Sequence, residues 1–341
     1  MPPPWSKTTS SSAPLPPLEL ADRVGAVSGS ARAFEPFLDI GRAGRELIEQ
    51  MLPGDWTWKD KRVLDFGCGA ARILRHFLPE ATEGQFVGCD IDAPSIGWLQ
   101  ENLCPPLEAF VNDEAPPLDQ PDGAFDLVYA ISVFTHITDE WAAWLLELHR
   151  VLRDGGLLLA STLGGAMSEA IAGEPWDAAR VGMNVVDRAK GWELGGPNVL
   201  ISEWWLRAHW GRAFDVVRFE SATAPGAQDL VLLRRRAGLF SREELERPEP
   251  GEPRELDALR HNVCQLHRES ALMREREAWA LGAQARERTV REHVERERDH
   301  ERAVRESLRI KRDAMATSRS WRVTRPLREL KRLGRPDRWR T

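Results

Sequence analysis

The run Val63-Leu-Asp-Phe-Gly-Cys-Gly-Ala-Ala-Arg72, with Phe86-Val-Gly-Cys-Asp-Ile-Asp92 behind it, constrains this chain more than any other feature. A short apolar stretch, Val63 to Phe66, ends in a Gly-x-Gly turn. The turn feeds a helical pattern through Ile73, Leu74 and Phe77. A second apolar stretch then closes on a carboxylate, Asp90, 21 positions beyond Gly69. Strand, glycine turn, helix, strand and terminal acid together describe a nucleotide site at the carboxyl edge of a parallel sheet. The glycines let backbone approach a ligand, a helix amino terminus favours a negative group, and the closing carboxylate can accept two hydrogen bonds from a ribose diol.

What is missing narrows the choice of nucleotide. A dinucleotide fingerprint wants a third glycine at position 72, where Arg72 stands, and a strand that ends uncharged, where Asp65 stands. A carboxylate there repels a pyrophosphate and attracts an ammonium or sulfonium. A nicotinamide or flavin site and a ligand-free structural turn are the competing readings. The ordered set Asp65-x-Gly67-x-Gly69 and Asp90 resembles the S-adenosylmethionine site of class I methyltransferases.

The resemblance extends over about residues 35 to 236. Phe125 to Ile137 looks like the family's fourth strand and following loop, and Leu148 to Ala160 like the helix, glycine turn and fifth strand. Phe214–Phe219 and Gln228–Leu233 look like its closing antiparallel pair. The implied fold is α/β: a doubly wound, seven-stranded, mostly parallel sheet of Rossmann-like type, followed here by a long helical or coiled-coil C-terminal extension. The resemblance also implies roles. Asp65 and the loop Gly67, Cys68 and Gly69 would hold the methionine end, Asp90 the ribose, Ile91 the adenine face, and Asn112 and Asp113 the adenine edge. His136, in the loop where acceptors sit, is the candidate base for a hydroxyl acceptor, since neutral imidazole accepts a proton near pH 7. A cap for the following helix is its alternative. No His, Asp or Glu cluster has metal-ligand spacing, so no metal is expected.

Composition sets the organisation around this body. Met1 to Leu20 is rich in Pro and Ser, unlike a secretory signal, and residues 1–32 are expected to be a disordered leader. No apolar run reaches the roughly 18 residues that span a bilayer. Cys68, Cys89, Cys104 and Cys264 lack Cys-x-x-Cys spacing, as expected for reduced thiols in a cytoplasmic protein. The net charge of −6 conceals −14 over residues 1–254 and +9 over residues 301–341. An acidic body argues against nucleic acid as substrate, because phosphate binding needs cations at the site.

Along the chain, a helix is expected over Ala33 to Leu52, and the methyltransferase-like domain over residues 33–240. Between its fifth strand and Phe214 lie about fifty extra residues containing Trp176, Trp192, Trp204, Trp205 and Trp210. They either pack an insert onto the sheet or face a sugar or lipid acceptor. A Pro-rich linker is expected at 241–254 and a coiled-coil stalk at 255–317, its seam set by Leu256, Leu259, Val263 and Leu266 and continued by Met273 and Ala280. That stripe implies a homo-oligomer. The basic tail, 318–341, resembles tails of bacterial glycosyltransferases and methyltransferases that build surface polysaccharides. With Trp321, Leu327, Leu330, Leu333 and Trp339 among cations, it is expected either to lie on the inner face of an anionic membrane or to dock on a partner such as a glycosyltransferase complex. The function expected from all this is methyl transfer to a small acceptor, most plausibly a sugar hydroxyl. Transfer to another small molecule or lipid, and a non-catalytic scaffold, are the alternatives.

Overall fold

Val63 and Leu64 are adjacent, fully buried and packed on opposite sides of one strand, which is how a sheet covered on both faces reads at residue level. The computed structural model describes residues 13–23, 34–192, 195–224 and 226–319, with positions 323 and 326. The central sheet contains β1 (Arg62–Phe66), β2 (Gln85–Asp90), β3 (Glu108–Val111), β4 (Phe125–Ala130), β5 (Leu152–Thr162), β8 (Phe214–Ala224) and β9 (Gln228–Arg235). Its order is β3-β2-β1-β4-β5-β9-β8. The first five strands are parallel and β9 is antiparallel to both neighbours. Strand order reverses between β1 and β4, the place where open α/β sheets leave a crevice for ligands.

One face carries α2 (Phe34–Met51) and α3 (Ala93–Asn102): Ile48, Met51, Ile96 and Leu99 pack on Val63, Phe86, Leu127 and Leu159. The other carries α4 (Trp141–Val151), α6 (Glu203–His209) and α7 (Arg242–Glu246), joined by the start of α8 (Arg254–Thr317). The expected doubly wound sheet and long C-terminal helix are both present. The insert holds a short helix, α5 (Ser168–Ala172), and a two-stranded sheet of β6 (Met183–Val186) and β7 (Asn198–Ile201).

Four regions differ from the expectation. After Gly69 the chain forms turns and two short 3-10 segments, Leu74–Phe77 and Glu80–Thr82, instead of an α-helix, with Ala71 at φ +60°. Apolar spacing alone does not distinguish the two, because one tight turn places the same residues inward. Within the leader, residues 13–23 are packed: α1 (Leu18–Asp22) buries Leu20 and Ala21, and the buried Arg75 donates to the carbonyls of Ala13 and Pro14. Residues 241–254 include α7, whose Ser241 and Glu244 form a capping box. Arg212 grips the carbonyls of Glu244, Leu245 and Arg247, so this stretch is tied to the body.

The fourth difference is in α8. The chain forms two compact units, Met1–Leu266 and His267–Thr341, so the first turns of α8 belong with the body. They dock through a polar face. Asn262 donates to the Met183 carbonyl at 2.7 Å, Gln265 to Val185 at 3.2 Å, and Glu255 lies 2.7 Å from His209. Leu256, Leu259, Val263 and Leu266 are each at least half exposed. In the second unit the helix continues as a solvated rod laced with Glu–Arg pairs such as Arg288–Glu292 and Arg305–Glu301.

Candidate functional site

At the carboxyl end of β1 the backbone bends sharply. Gly67 has φ +81° and Gly69 φ +51°, and a methyl on Gly67 would lie 2.4 Å from Val133 Cγ2. Glycine is required there twice over, by conformation and by the close approach of the loop after β4. The Gly67 and Cys68 amides donate to the Cys89 carbonyl, fixing the turn against β2. The Gly69 amide donates to Asp90 Oδ2 at 2.7 Å, and the Asp92 amide to Asp90 Oδ1 at 2.9 Å. Two backbone donors thus hold the Asp90 carboxylate rigid, and each oxygen keeps a second lone pair. Ile91 stands 45% exposed beside it. The Asn112 amide donates to the Asp90 carbonyl, its side-chain NH2 to the Asp113 carbonyl, and its Oδ1 is buried without a hydrogen-bond partner. Asp65, Gly67, Gly69, Asp90, Ile91 and Asn112 therefore meet at one crevice. Asp113 is exposed at its rim. Cys68 contributes backbone only: its side chain is buried, with Sγ against the space above Gly88.

Burial dominates the electrostatics of this edge. Asp65 is 3% exposed, and burial raises its pKa to about 8, helped by the nearby Asp90 and opposed by Tyr129 and by the charge of Arg72. The Tyr129 hydroxyl is near enough to pull this carboxyl down, yet completes no hydrogen bond of ordinary length. Burial raises the Asp90 pKa as well, against the lowering effect of the Asp92 and Gly69 amides.

His136 lies in the loop after β4. Its Nδ1 is 2.7 Å from the Pro197 carbonyl, which can only accept, so Nδ1 carries the proton and Nε2 of the neutral ring is the acceptor. Burial lowers its pKa, with Lys190 adding to the effect. It does not cap the following helix: Glu140 precedes α4, with no side-chain cap. Trp192, 59% exposed, meets the His136 ring edge-on at 5.9 Å. The five insert tryptophans differ in burial. Trp210 is fully buried against Phe134, and Trp205 packs against Trp141. Trp204 is buried too, at 9% exposed, whereas Trp176 is half-buried and Trp192 open to solvent.

One feature of this edge has no sequence signal. Ser132, at φ +63°, holds a conformation that serine rarely adopts. Its amide donates to Ser161 Oγ at 2.7 Å, and both hydroxyls bond the Gln228 side chain. The loop after β4 and two strands, β5 and β9, supply this group, so no local motif announces it.

Comparison with known proteins agrees with the geometry. A family model described as a methyltransferase domain matches residues 64–158. A 2-methyl-6-phytyl-1,4-hydroquinone methyltransferase of Synechocystis sp. is 33% identical over 100 residues, covering 29% of this chain and 31% of that protein. A fatty-acid O-methyltransferase of Mycolicibacterium smegmatis is 32% identical over 103 residues, covering 29% of this chain and 36% of its own length. The chain thus spans about a third of these relatives. An S-adenosylmethionine-dependent methyltransferase from Mesorhizobium loti superposes with a TM-score of 0.42 at 18% identity, over 57% of this chain and 98% of that one. Over residues 64–158, therefore, the chain matches the methyltransferase-domain family.

Proposed function

We propose that this chain transfers a methyl group from S-adenosylmethionine to a small acceptor, and that the acceptor is a sugar hydroxyl in surface-polysaccharide or glycolipid assembly. The observation that carries the reading is the pairing of Asp90, held by the Gly69 and Asp92 amides, with the buried Asp65 across the Gly67–Gly69 turn. Bound there, the donor supplies a methyl group on a cationic sulfonium. Asp90 offers its remaining lone pairs to a ribose diol, Ile91 an apolar face to adenine, and Asp65 a counter-charge. His136 Nε2 accepts the proton that an acceptor hydroxyl loses. The alignment of reactants by such groups is worth roughly 7–11 kcal/mol in well-oriented systems.

A lipid or phenolic acceptor is the second reading, favoured by the names of the hydroquinone and fatty-acid methyltransferases that share this segment. Self-association through Leu256, Leu259, Val263 and Leu266 belongs to the proposal, because these side chains form an exposed apolar stripe. Membrane or partner docking by the tail rests on sequence alone, since Trp321, Leu327, Leu330, Leu333 and Trp339 lie outside the described residues. Among the described residues no helix is long and apolar enough to cross a membrane.

Calorimetry with S-adenosylhomocysteine tests the cofactor assignment. Asp90→Ala removes charge-assisted bonds worth about 1.5–3 kcal/mol, so affinity should fall about 10- to 150-fold. Equal affinity in both proteins, or no binding to the parent, removes the reading.

A further inference from the structure

Beside the crevice, along the same sheet edge, lies a cleft of about 560 Å³ between the insert and the ends of β5, β8 and β9. Its walls are aromatic: Trp176, Trp204 and Phe219. Its floor is polar. Asp229, 5% exposed, accepts from the Ala222 amide through Oδ1 at 2.8 Å, while Oδ2 takes no hydrogen bond from the described residues. That second oxygen occupies the place a side chain on Gly164 would need, 1.8 Å from an added Cβ, so the carboxylate is seated by a glycine. A bulge in β8 between Glu220 and Ala224, with Ala222 at φ +53°, breaks the ladder where Ser221 lines the cleft.

The charges identify the class of ligand. Two arginines border the cleft, and both are already engaged. Arg207 pairs with Glu203 at 2.8 Å; Arg254 donates to Glu252 at 2.6 Å while stacking 4.8 Å over Trp204. A phosphate or carboxylate ligand would have to break these pairs and face Asp229 and Glu203 as well. A wholly apolar ligand would strand the Asp229 carboxylate and the Ser221 hydroxyl away from water, at a cost that disfavours it. A neutral ring with apolar faces and hydroxyl edges satisfies both the aromatic walls and the polar floor.

We propose that this cleft binds a neutral saccharide unit of the acceptor, with its ring face against Trp176 and hydroxyls on Asp229 and Ser221. The inference rests on the methyl-transfer reading for the ligand being the acceptor. Gln228 and Asp229 are consecutive on β9: Gln228 bonds Ser132 and Ser161 beside the crevice, and Asp229 serves the cleft. A sugar seated here lies along the sheet edge from the methyl-transfer loop, so the cleft positions a unit away from the reacting hydroxyl.

Saturation-transfer NMR on the full chain, with methyl glycosides of glucose, galactose, mannose, N-acetylglucosamine and rhamnose, reads this binding without methyl transfer. At least one glycoside should show transfer. Its affinity should fall about tenfold or more in Trp176→Ala and in Asp229→Asn, and remain unchanged in Asp65→Asn. Ser221→Trp, at an exposed strand position, fills the cleft and should abolish binding with the melting temperature retained. Transfer to no glycoside overturns the proposal, as does one affinity shared by the parent, Trp176→Ala and Ser221→Trp. S-adenosylhomocysteine titration of the same samples separates the two readings. Sugar binding without cofactor binding removes the acceptor role; cofactor binding without sugar binding removes the cleft alone.

Discussion

A carboxyl whose pKa is about 8 is largely protonated at pH 7, and Asp65 is in that position in the ligand-free chain. The anion is the form that binds an ammonium or sulfonium, so S-adenosylhomocysteine affinity should rise as pH increases from 7 to 9. Asp65→Asn should flatten that rise in calorimetry. Stability moves the other way. Between the ordinary 3.8 and about 8 the folded, ligand-free protein binds a proton that the unfolded chain has released. Ligand-free stability therefore falls as pH rises through this window, and Asp65→Asn should lessen the fall in melting temperature between pH 5 and pH 8. His136 gives a complementary test. With its pKa lowered by burial, it stays neutral below pH 6.5, so turnover should persist on mild acidification. His136→Ala should reduce turnover by about 10² or more with cofactor affinity intact, measured by single-turnover assay once an acceptor is in hand. Asp65 and Asp90 were readable in the sequence because one stands within and the other at the end of a short apolar run, where a carboxylate is costly to bury. Ser132, Ser161 and Gln228 were not, because residues 29 and 96 positions apart meet only when the loop after β4 is brought beside β5 and β9.

The Gly-x-Gly turn shows what an element can and cannot disclose. Its glycines announced a sharp bend, but not that Val133 from the loop after β4 packs against it. Gly67→Ala combines a positive φ with a clash at 2.4 Å, and should weaken S-adenosylhomocysteine binding while lowering stability by about 1–3 kcal/mol. Adding Val133→Ala removes the clash and leaves the backbone strain, so the double variant should recover only part of the loss in thermal melts. The helix expected after the turn failed for a related reason: its apolar spacing suits a 3-10 turn equally well, and the contacts of Leu74 and Phe77 with the sheet are the same in either form. In α8 the apolar pattern pointed to a seam and missed the docking face, because that face is made of Glu255, His261, Asn262 and Gln265. Hydrophobic periodicity cannot register an interface built from hydrogen bonds to strand carbonyls.

At the scale of the molecule, the centre of the parallel sheet was legible because β1, β2, β4 and the second half of β5 are mostly buried apolar runs, whereas the boundary of the body was not. A Pro- and Glu-rich stretch reads as a tether, yet Arg212 and the capping box fix it, and the body continues to Leu266. Where the chain is cut therefore decides what is obtained. A fragment ending at Leu266 keeps Glu255 against His209, Ala258 beneath Trp205 and Gly182, and Asn262 on β6. It should melt within a few degrees of the full chain and bind S-adenosylhomocysteine with the same affinity. A fragment ending at Arg254 leaves buried His209 without its carboxylate and the carbonyls of Met183 and Val185 without donors, each such loss costing about 1–3 kcal/mol. It should melt several degrees lower. Four apolar side chains on the solvent side of the same turns give the remaining consequence. Replacing Leu256, Leu259, Val263 and Leu266 by serine should leave the melting temperature of the 1–266 fragment nearly unchanged, since these residues are half exposed in it. In the full chain the same replacements should convert an oligomer to a monomer in light scattering. A full chain that is monomeric before the replacements refutes self-association, and a large drop in melting temperature of the short fragment shows that the stripe supports the body instead.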